Sequence, residues 1–230
     1  MILTKNQLSH VAFILDGNKR WAKNNHLPII DGYKKGFANI KNIVEYSLYK
    51  KISYLTLFTL SSENYNRSTI DILYEIIYNN VSYLIDELIN KKNIKINIFG
   101  LRRNLPKKLI EIFQKAENIN NNNVSLNLNI AFNYGFKDEI KEVLKIYKKN
   151  INNINLENNL DIKKLFFLGN LPDPDILIRT GGYKRLSNFI MYNLTYTELF
   201  FSDTLWPDFT IKEYDKIINN FINIDRKYGL

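Results

Sequence analysis

The sequence predicts an α/β fold: a single domain over residues 1–230, built on a mostly parallel β-sheet flanked by helices on both faces. Three observations carry that expectation. Strand-length apolar runs alternate with stretches of helical periodicity, the runs end in small, polar or charged residues, and no internal repeat or linker divides the chain.

In chain order, His10–Leu15 is an apolar run that stops at the turn signal Asp16-Gly17-Asn18, after which Ile40, Ile43, Val44, Ser47 and Leu48 recur at helical spacing. Tyr54–Leu60 is a second β-rich run. Ser68 and Asp71 form a capping-box pattern ahead of a long helix carrying Leu73, Ile76, Ile77, Leu84, Ile85 and Leu88. Ile94, Ile96 and Ile98 alternate up to Gly100, Pro106 opens the next helix where its missing N–H does no harm, and Val124 to Phe132 alternate as a fourth strand. Another helix starts near Asp138, and the Asn-rich stretch Asn150–Asn159 reads as a solvated loop. Asp175–Arg179 is a short strand after a Pro-Asp-Pro stop, and Glu198–Phe201 is one more. Thr210 and Glu213 form a capping box for a last helix with Ile217, Ile218, Phe221 and Ile222 on one face.

The 32 basic residues outnumber the 23 acidic ones, and the net charge of +9 suits nucleic acid, an anionic membrane surface or a phosphorylated small molecule. No recognisable nucleic-acid module accompanies that charge, and the cations sit on loops beside acidic residues rather than along a stripe, so no nucleic-acid partner is expected. There is no cysteine, which removes disulfides and thiolate metal sites. With no signal-peptide layout and no apolar run near the roughly 18 residues of a spanning helix, the expectation is a cytoplasmic protein whose membrane contact is peripheral.

In sheets of this kind ligands bind beyond the carboxyl ends of the strands. Those ends are Asp16, Ser61-Ser62-Glu63-Asn64, Gly100-Leu101-Arg102, Asn133-Tyr134 and Arg179-Thr180. Asp16-Gly17-Asn18-Lys19-Arg20-Trp21 places a carboxylate at a strand end, a tight turn, and two cations at a helix start. That combination can cradle phosphate and share Mg²⁺ between Asp16 and phosphate oxygens; an N-capping Asp before a solvated basic turn reads the same residues. Ser61–Arg67 offers hydroxyls, an amide, a carboxylate and an arginine that can position a diphosphate and assist proton removal, or else form a loop with an Asx turn. Arg179–Ser187 surrounds a Gly pair with three cations and a serine, without the spacing of a P-loop or a dinucleotide fingerprint. Glu198 can complete a metal shell with Asp16 or serve as an ordinary surface carboxylate.

These segments together resemble the signatures of the cis-prenyltransferases, the undecaprenyl diphosphate synthase family. His10–Lys23 is similar to the first signature and Ser61–Arg67 to a Ser-Ser-Glu-Asn-Trp-x-Arg segment. Arg179–Ser187, Glu198 and Leu205–Phe209 are similar to the rest, in the family's order. The resemblance spans essentially the whole chain. It implies a family-type fold with an apolar product tunnel, and an enzyme that condenses isopentenyl diphosphate with an allylic diphosphate, typically farnesyl diphosphate, to a cis-polyprenyl diphosphate such as undecaprenyl diphosphate. It implies Mg²⁺ and a homodimer as well.

By the same resemblance Asp16 is the catalytic carboxylate and a metal ligand, with Glu198 as the second metal position, from the same or the partner subunit. Ser61 and Asn64 lie near the departing proton. Gly17, Asn18, Lys19, Arg20, Trp21 and Tyr33 hold the primer, Ser62, Glu63, Tyr65 and Arg67 of the second segment bind substrate with Leu186, and Arg179, Arg185 and Ser187 grip the diphosphate of isopentenyl diphosphate. The helices Leu73–Leu88 and Ile40–Leu48 are candidate tunnel walls above the Ile94–Phe99 and Leu126–Phe132 strands, although ordinary core accounts for the same apolar faces.

Several positions depart from the family's pattern. Ile29 and Tyr33 stand where many members carry an Arg and a His for the primer diphosphate, Lys184 where a metal-side His is common, and Phe136 inside an Asn-Tyr-Gly-Gly run; Tyr65 replaces Trp more mildly. A short-chain or irregular synthase of the lavandulyl type is therefore the rival reading within the family. A non-catalytic partner subunit is disfavoured, since such members lose the Asp-Gly-Asn segment that Asp16, Gly17 and Asn18 retain.

Overall fold

The fold is given by a computed structural model that describes residues 6–63, 74, 78, 93–103, 105–119 and 123–227. The expected 68–88 helix lies outside these residues apart from Tyr74 and Tyr78, both helical, so that tunnel wall falls outside with it. In chain order come β1 (His10–Ile14), α1 (Asn18–Asn24), α2 (Ile29–Tyr49), β2 (Tyr54–Ser61) and β3 (Ile94–Phe99). Then follow α3 (Lys107–Glu117), β4 (Leu126–Tyr134), α4 (Phe136–Lys149), α5 (Asn159–Lys163), β5 (Ile176–Arg179), β6 (Glu198–Phe201) and α6 (Ile211–Ile222). The six strands form one sheet in the order β3-β4-β2-β1-β5-β6, and every described pairing is parallel.

Alternation along the strands divides the core in two. Val11 and Phe13 of β1 and Ile176 and Ile178 of β5 join Ile40, Ile43 and Val44 of α2, Phe113 of α3, and Tyr214 and Phe221 of α6 on one face. Ala12 and Ile14, with Leu177 and Phe58, meet Leu168, Phe189 and Ile190 on the other. Side chains this buried contribute about 1.5–3 kcal/mol each. The α/β expectation of a sheet covered on both faces is met.

One file of side chains on the second face is polar. Asn97 donates to Asn129 (3.0 Å), Asn129 to Thr56 Oγ1 (3.2 Å), and Thr56 lies 2.7 Å from His10 Nε2, while His10 Nδ1 lies 2.7 Å from the Pro172 carbonyl. A carbonyl only accepts, so Nδ1 carries the proton, and in the neutral imidazole Nε2 then accepts from the Thr56 hydroxyl. Burial agrees, lowering the His10 pKa to about 4 against the smaller upward pull of the Pro172 bond.

Two local expectations are refined and a third is met. The single helix expected after Asp16-Gly17-Asn18 is two, because His26 takes a left-handed conformation (φ 56°) and Pro28 cannot continue a helix, so α2 restarts behind it. The Asn150–Asn159 loop contains a 3₁₀ turn, Ile151–Asn153, and ends in α5, whose first turn Asn158 caps by accepting from Leu160 N–H. Thr210 and Glu213 form both halves of the capping box at α6.

Candidate active site

β1 and β5 end level with one another, Ile14 pairing with Arg179, and β2, whose Phe58 pairs with Ile14, runs three residues further to Ser61, so their following loops converge at one rim. Asp16 lies there because of its turn. Gly17 has φ 131°, and a Cβ on it would come within 2.9 Å of the Leu205 Cα and the Trp206 nitrogen. Only glycine lets the backbone pass so close. The contact is used: Trp206 N–H and the Thr180 hydroxyl both donate to the Asp16 carbonyl, at 3.0 and 2.8 Å.

The Asp16 carboxylate does not cap α1, whose first turn has no side-chain cap. Its Oδ1 instead accepts from Arg20 Nη2 at 3.1 Å, and its Oδ2 from Arg179 Nη2 at 2.8 Å. The Arg179 side chain is 3% exposed, and its other terminal nitrogen donates to Ser187 Oγ (2.6 Å) and to the Arg185 carbonyl. Arg179 thus ties the β1 turn to the loop after β5, two segments 163 residues apart. In that loop Ser187 and Asn188 both hold positive φ, 50° and 64°, a conformation that persists only where neighbours enforce it. Asn188 is enforced from three sides: its amide donates to Glu63 (3.1 Å), its side-chain oxygen accepts from Lys137 N–H (2.9 Å), and its carbonyl accepts from Phe136 N–H (2.8 Å).

The rim encloses a cleft of about 640 Å³. Among the described residues its lining carries five cations, Lys19, Arg20, Lys137, Arg179 and Arg185, against two carboxylates, Asp16 and Glu63, with Ile14, Leu15, Phe58 and Met191 as apolar wall. An excess of fixed cations beside apolar surface suits an amphiphilic anion.

Of the residues singled out in the sequence, Asp16, Gly17, Asn18, Lys19, Arg20, Tyr33, Ser61, Glu63, Arg179, Arg185 and Ser187 line this cleft together. Trp21 does not: it is 8% exposed, its indole N–H donates to Asp208 at 2.8 Å, and the Lys35 ammonium sits 4.3 Å from its ring centre. It fastens α1 to the Trp206–Asp208 turn. Ser62 is absent from the cleft lining and donates to Asp138 (2.8 Å), whose pKa is held low mainly by Lys141. Leu186 packs on the second core face. Asn64, Tyr65 and Arg67 lie outside the described residues.

Glu198 is the clearest separation. It pairs with Ile176 at the start of β5, whereas Asp16 follows the strand end that pairs with Arg179, so roughly 10 Å of strand rise separates their levels within one chain. Of the rim segments, Gly100-Leu101-Arg102 is turned to structure: Arg102 pairs with Glu117 at 2.6 Å and donates to the Ile98 carbonyl. Phe136 does not crowd the rim, since its ring stacks toward Phe166 and the close approach falls on Gly135, where a Cβ would meet Ser62 Oγ at 2.6 Å. Lys184 is exposed and Ile29 is 43% exposed; neither lines the cleft.

The sequence reading passed over Lys137, Asn188, Phe58 and Met191. Asn188 had a signal, following Ser187 in a segment already marked, but its partners Glu63 and Lys137 come from distant loops.

Comparison with known proteins agrees with this geometry. Residues 14–229 match the sequence model of the family described as "Putative undecaprenyl diphosphate synthase". The chain is 39% identical over 226 residues to an isoprenyl transferase of Aquifex pyrophilus, covering 96% of this chain and 95% of that one. It is 35% identical over 227 residues to a ditrans,polycis-undecaprenyl-diphosphate synthase ((2E,6E)-farnesyl-diphosphate specific) of Coxiella burnetii, covering 96% and 95%. Among solved structures, lavandulyl diphosphate synthase from Lavandula x intermedia in complex with dimethylallyl diphosphate superposes with a TM-score of 0.90 at 27% identity, covering 99% of both chains. A probable undecaprenyl diphosphate synthase from Campylobacter jejuni gives 0.78 at 29%, covering 98% of this chain and 100% of that one. The chain therefore belongs to the cis-prenyltransferases, the undecaprenyl diphosphate synthase family.

Proposed function

We propose that this prenyltransferase condenses isopentenyl diphosphate with an allylic diphosphate, farnesyl diphosphate foremost, to give a cis-polyprenyl diphosphate such as undecaprenyl diphosphate. The observation that carries the proposal is the cleft itself, where Asp16 lies between Arg20 and Arg179 among five cations and next to apolar wall.

In the reaction the alkene of isopentenyl diphosphate attacks C1 of the primer, the C–O bond to diphosphate breaks, and a proton leaves to form the new double bond. Negative charge grows on the departing diphosphate, and Arg20 and Lys19 of the primer segment line the space it would occupy, while the Arg179–Arg185–Ser187 group would face the diphosphate of isopentenyl diphosphate. Arg179 holds Asp16 and the Ser187 loop at one spacing, so the two diphosphate subsites keep their separation. Ser61 at the end of β2 would stand near the departing proton.

Mg²⁺ fits the donor chemistry of the cleft, since it binds through one or two carboxylates together with substrate phosphates, and Asp16 is a partly exposed carboxylate beside the anion site. Bound there it would supply Lewis-acid neutralisation of diphosphate oxygens. Glu198 of the same chain stands too far along the strands to share that ion. It can serve only across a homodimer, for which the half-exposed Leu199 and Phe201 of edge strand β6 offer an apolar face.

A short-chain or irregular synthase is the second reading, favoured by the TM-score of 0.90 to lavandulyl diphosphate synthase. Incubation of the purified chain with labelled isopentenyl diphosphate, Mg²⁺ and either farnesyl or dimethylallyl diphosphate, followed by product sizing, tests both. Long products from farnesyl diphosphate are expected. A single C10 product from dimethylallyl diphosphate alone would favour the second reading, and no prenyl diphosphate product of any length from either primer would refute both.

A further inference from the structure

We propose that Tyr183 is a positioning residue of the diphosphate site, whose ring gathers the guanidinium groups of Arg20, Arg179 and Arg185 into one anion-binding face without neutralising them. The inference rests on the diphosphate reading above. The guanidinium carbons of Arg185, Arg20 and Arg179 lie 4.2, 4.6 and 5.7 Å from the centre of this one ring. Three like charges so close repel one another. Asp16 supplies a single negative charge to two of them, and among the described residues no carboxylate pairs with Arg185.

An aromatic face attracts cations through its quadrupole within about 6 Å of the centroid. It differs from a carboxylate in one respect that matters here: it holds the guanidiniums together without adding a second negative charge to that of Asp16 that would compete with a ligand. The ring's own place is fixed by the backbone before it, where Gly181 N–H donates to the Thr204 carbonyl (2.8 Å) and Gly182 N–H to the Ser202 carbonyl (2.9 Å). Tyr183 is 43% exposed and lines the cleft, so packing alone does not account for an aromatic residue there.

The test is titration of inorganic pyrophosphate into the full chain, wild type against Tyr183→Phe and Tyr183→Leu, with KM and kcat for isopentenyl diphosphate measured on the same proteins. Tyr183→Phe keeps the ring and is expected to stay within about twofold of wild type in affinity. Tyr183→Leu keeps bulk but removes the quadrupole, and should weaken pyrophosphate binding and raise KM about three- to tenfold, with kcat changed less than about twofold and the denaturation midpoint unmoved. Wild-type affinity in Tyr183→Leu overturns the inference, as does an equal loss in Tyr183→Phe, which would assign the effect to the hydroxyl. A wild-type chain with no saturable pyrophosphate binding overturns the reading of the site, and this inference with it.

Discussion

Removing the charge of Asp16 should destabilise the protein as well as silence it. Arg179 is 3% exposed and Asp16 27% exposed, with 2.8 Å between the bonded atoms. At an effective dielectric near 20 their gross attraction is about 4–6 kcal/mol, much of it offset by the cost of taking Arg179 out of water. What survives is visible when the carboxylate charge goes, because among the described residues a buried guanidinium then keeps only neutral acceptors such as Ser187 Oγ and the Arg185 carbonyl. Asp16→Asn and Arg179→Met should each cost about 2–3 kcal/mol in urea unfolding. The double variant should cost less than their sum by about 1.5–3 kcal/mol, and raised salt should change this little. By contrast Arg20→Met, which removes the more exposed partner (38%), should cost under about 1 kcal/mol. Additivity of Asp16→Asn and Arg179→Met within about 0.5 kcal/mol would refute the claim that the two act as one clamp.

Stability should also fall on mild acidification through His10. Its folded pKa, about 4, lies below the ordinary 6.5, so the unfolded chain binds the proton first; the contribution is complete above pH 6.5 and is lost as pH drops toward 4, about 3 kcal/mol in all. Urea midpoints of wild type and His10→Gln between pH 7 and 4 should converge as pH falls, and parallel curves would refute the assignment. Gly17→Ala, with φ 131° and backbone atoms 2.9 Å from the new Cβ, should cost at least about 2 kcal/mol and displace Asp16, read as a lowered urea midpoint with lost turnover; a wild-type midpoint would show that the Leu205–Trp206 segment yields freely.

Much of the fold was legible because its signals are local. Ile94, Ile96 and Ile98 announce β3 by alternation, Thr210 and Glu213 mark the start of α6, and small polar residues mark the ends of β1, β2 and β5. The break between α1 and α2 carries an equally local signal in Pro28, which cannot continue a helix. The site was legible as segments and illegible as contacts. Nothing in the spacing says that Arg179 spends its charge on Asp16, that Trp21 turns from the cleft toward Asp208, or that Asn188 reaches Glu63, because those depend on strand order, and β3-β4-β2-β1-β5-β6 is not the order of the chain. Glu198 shows the same gap: the motif gives its identity, while its level on β6 decides what it can reach.

The polar file from Asn97 to His10 bears on how the sheet finds its alignment. Parallel neighbours here come from distant parts of the chain, Thr56 and Asn129 being 73 residues apart, so no tight turn sets their offset. Sliding a strand by one residue would bury amides in the greasy layer on the opposite side, but sliding it by two would leave every apolar side chain facing inward. Only the hydrogen-bonded amide, hydroxyl and imidazole would then miss their mates, so these four polar groups reject the one misalignment that oiliness alone would tolerate.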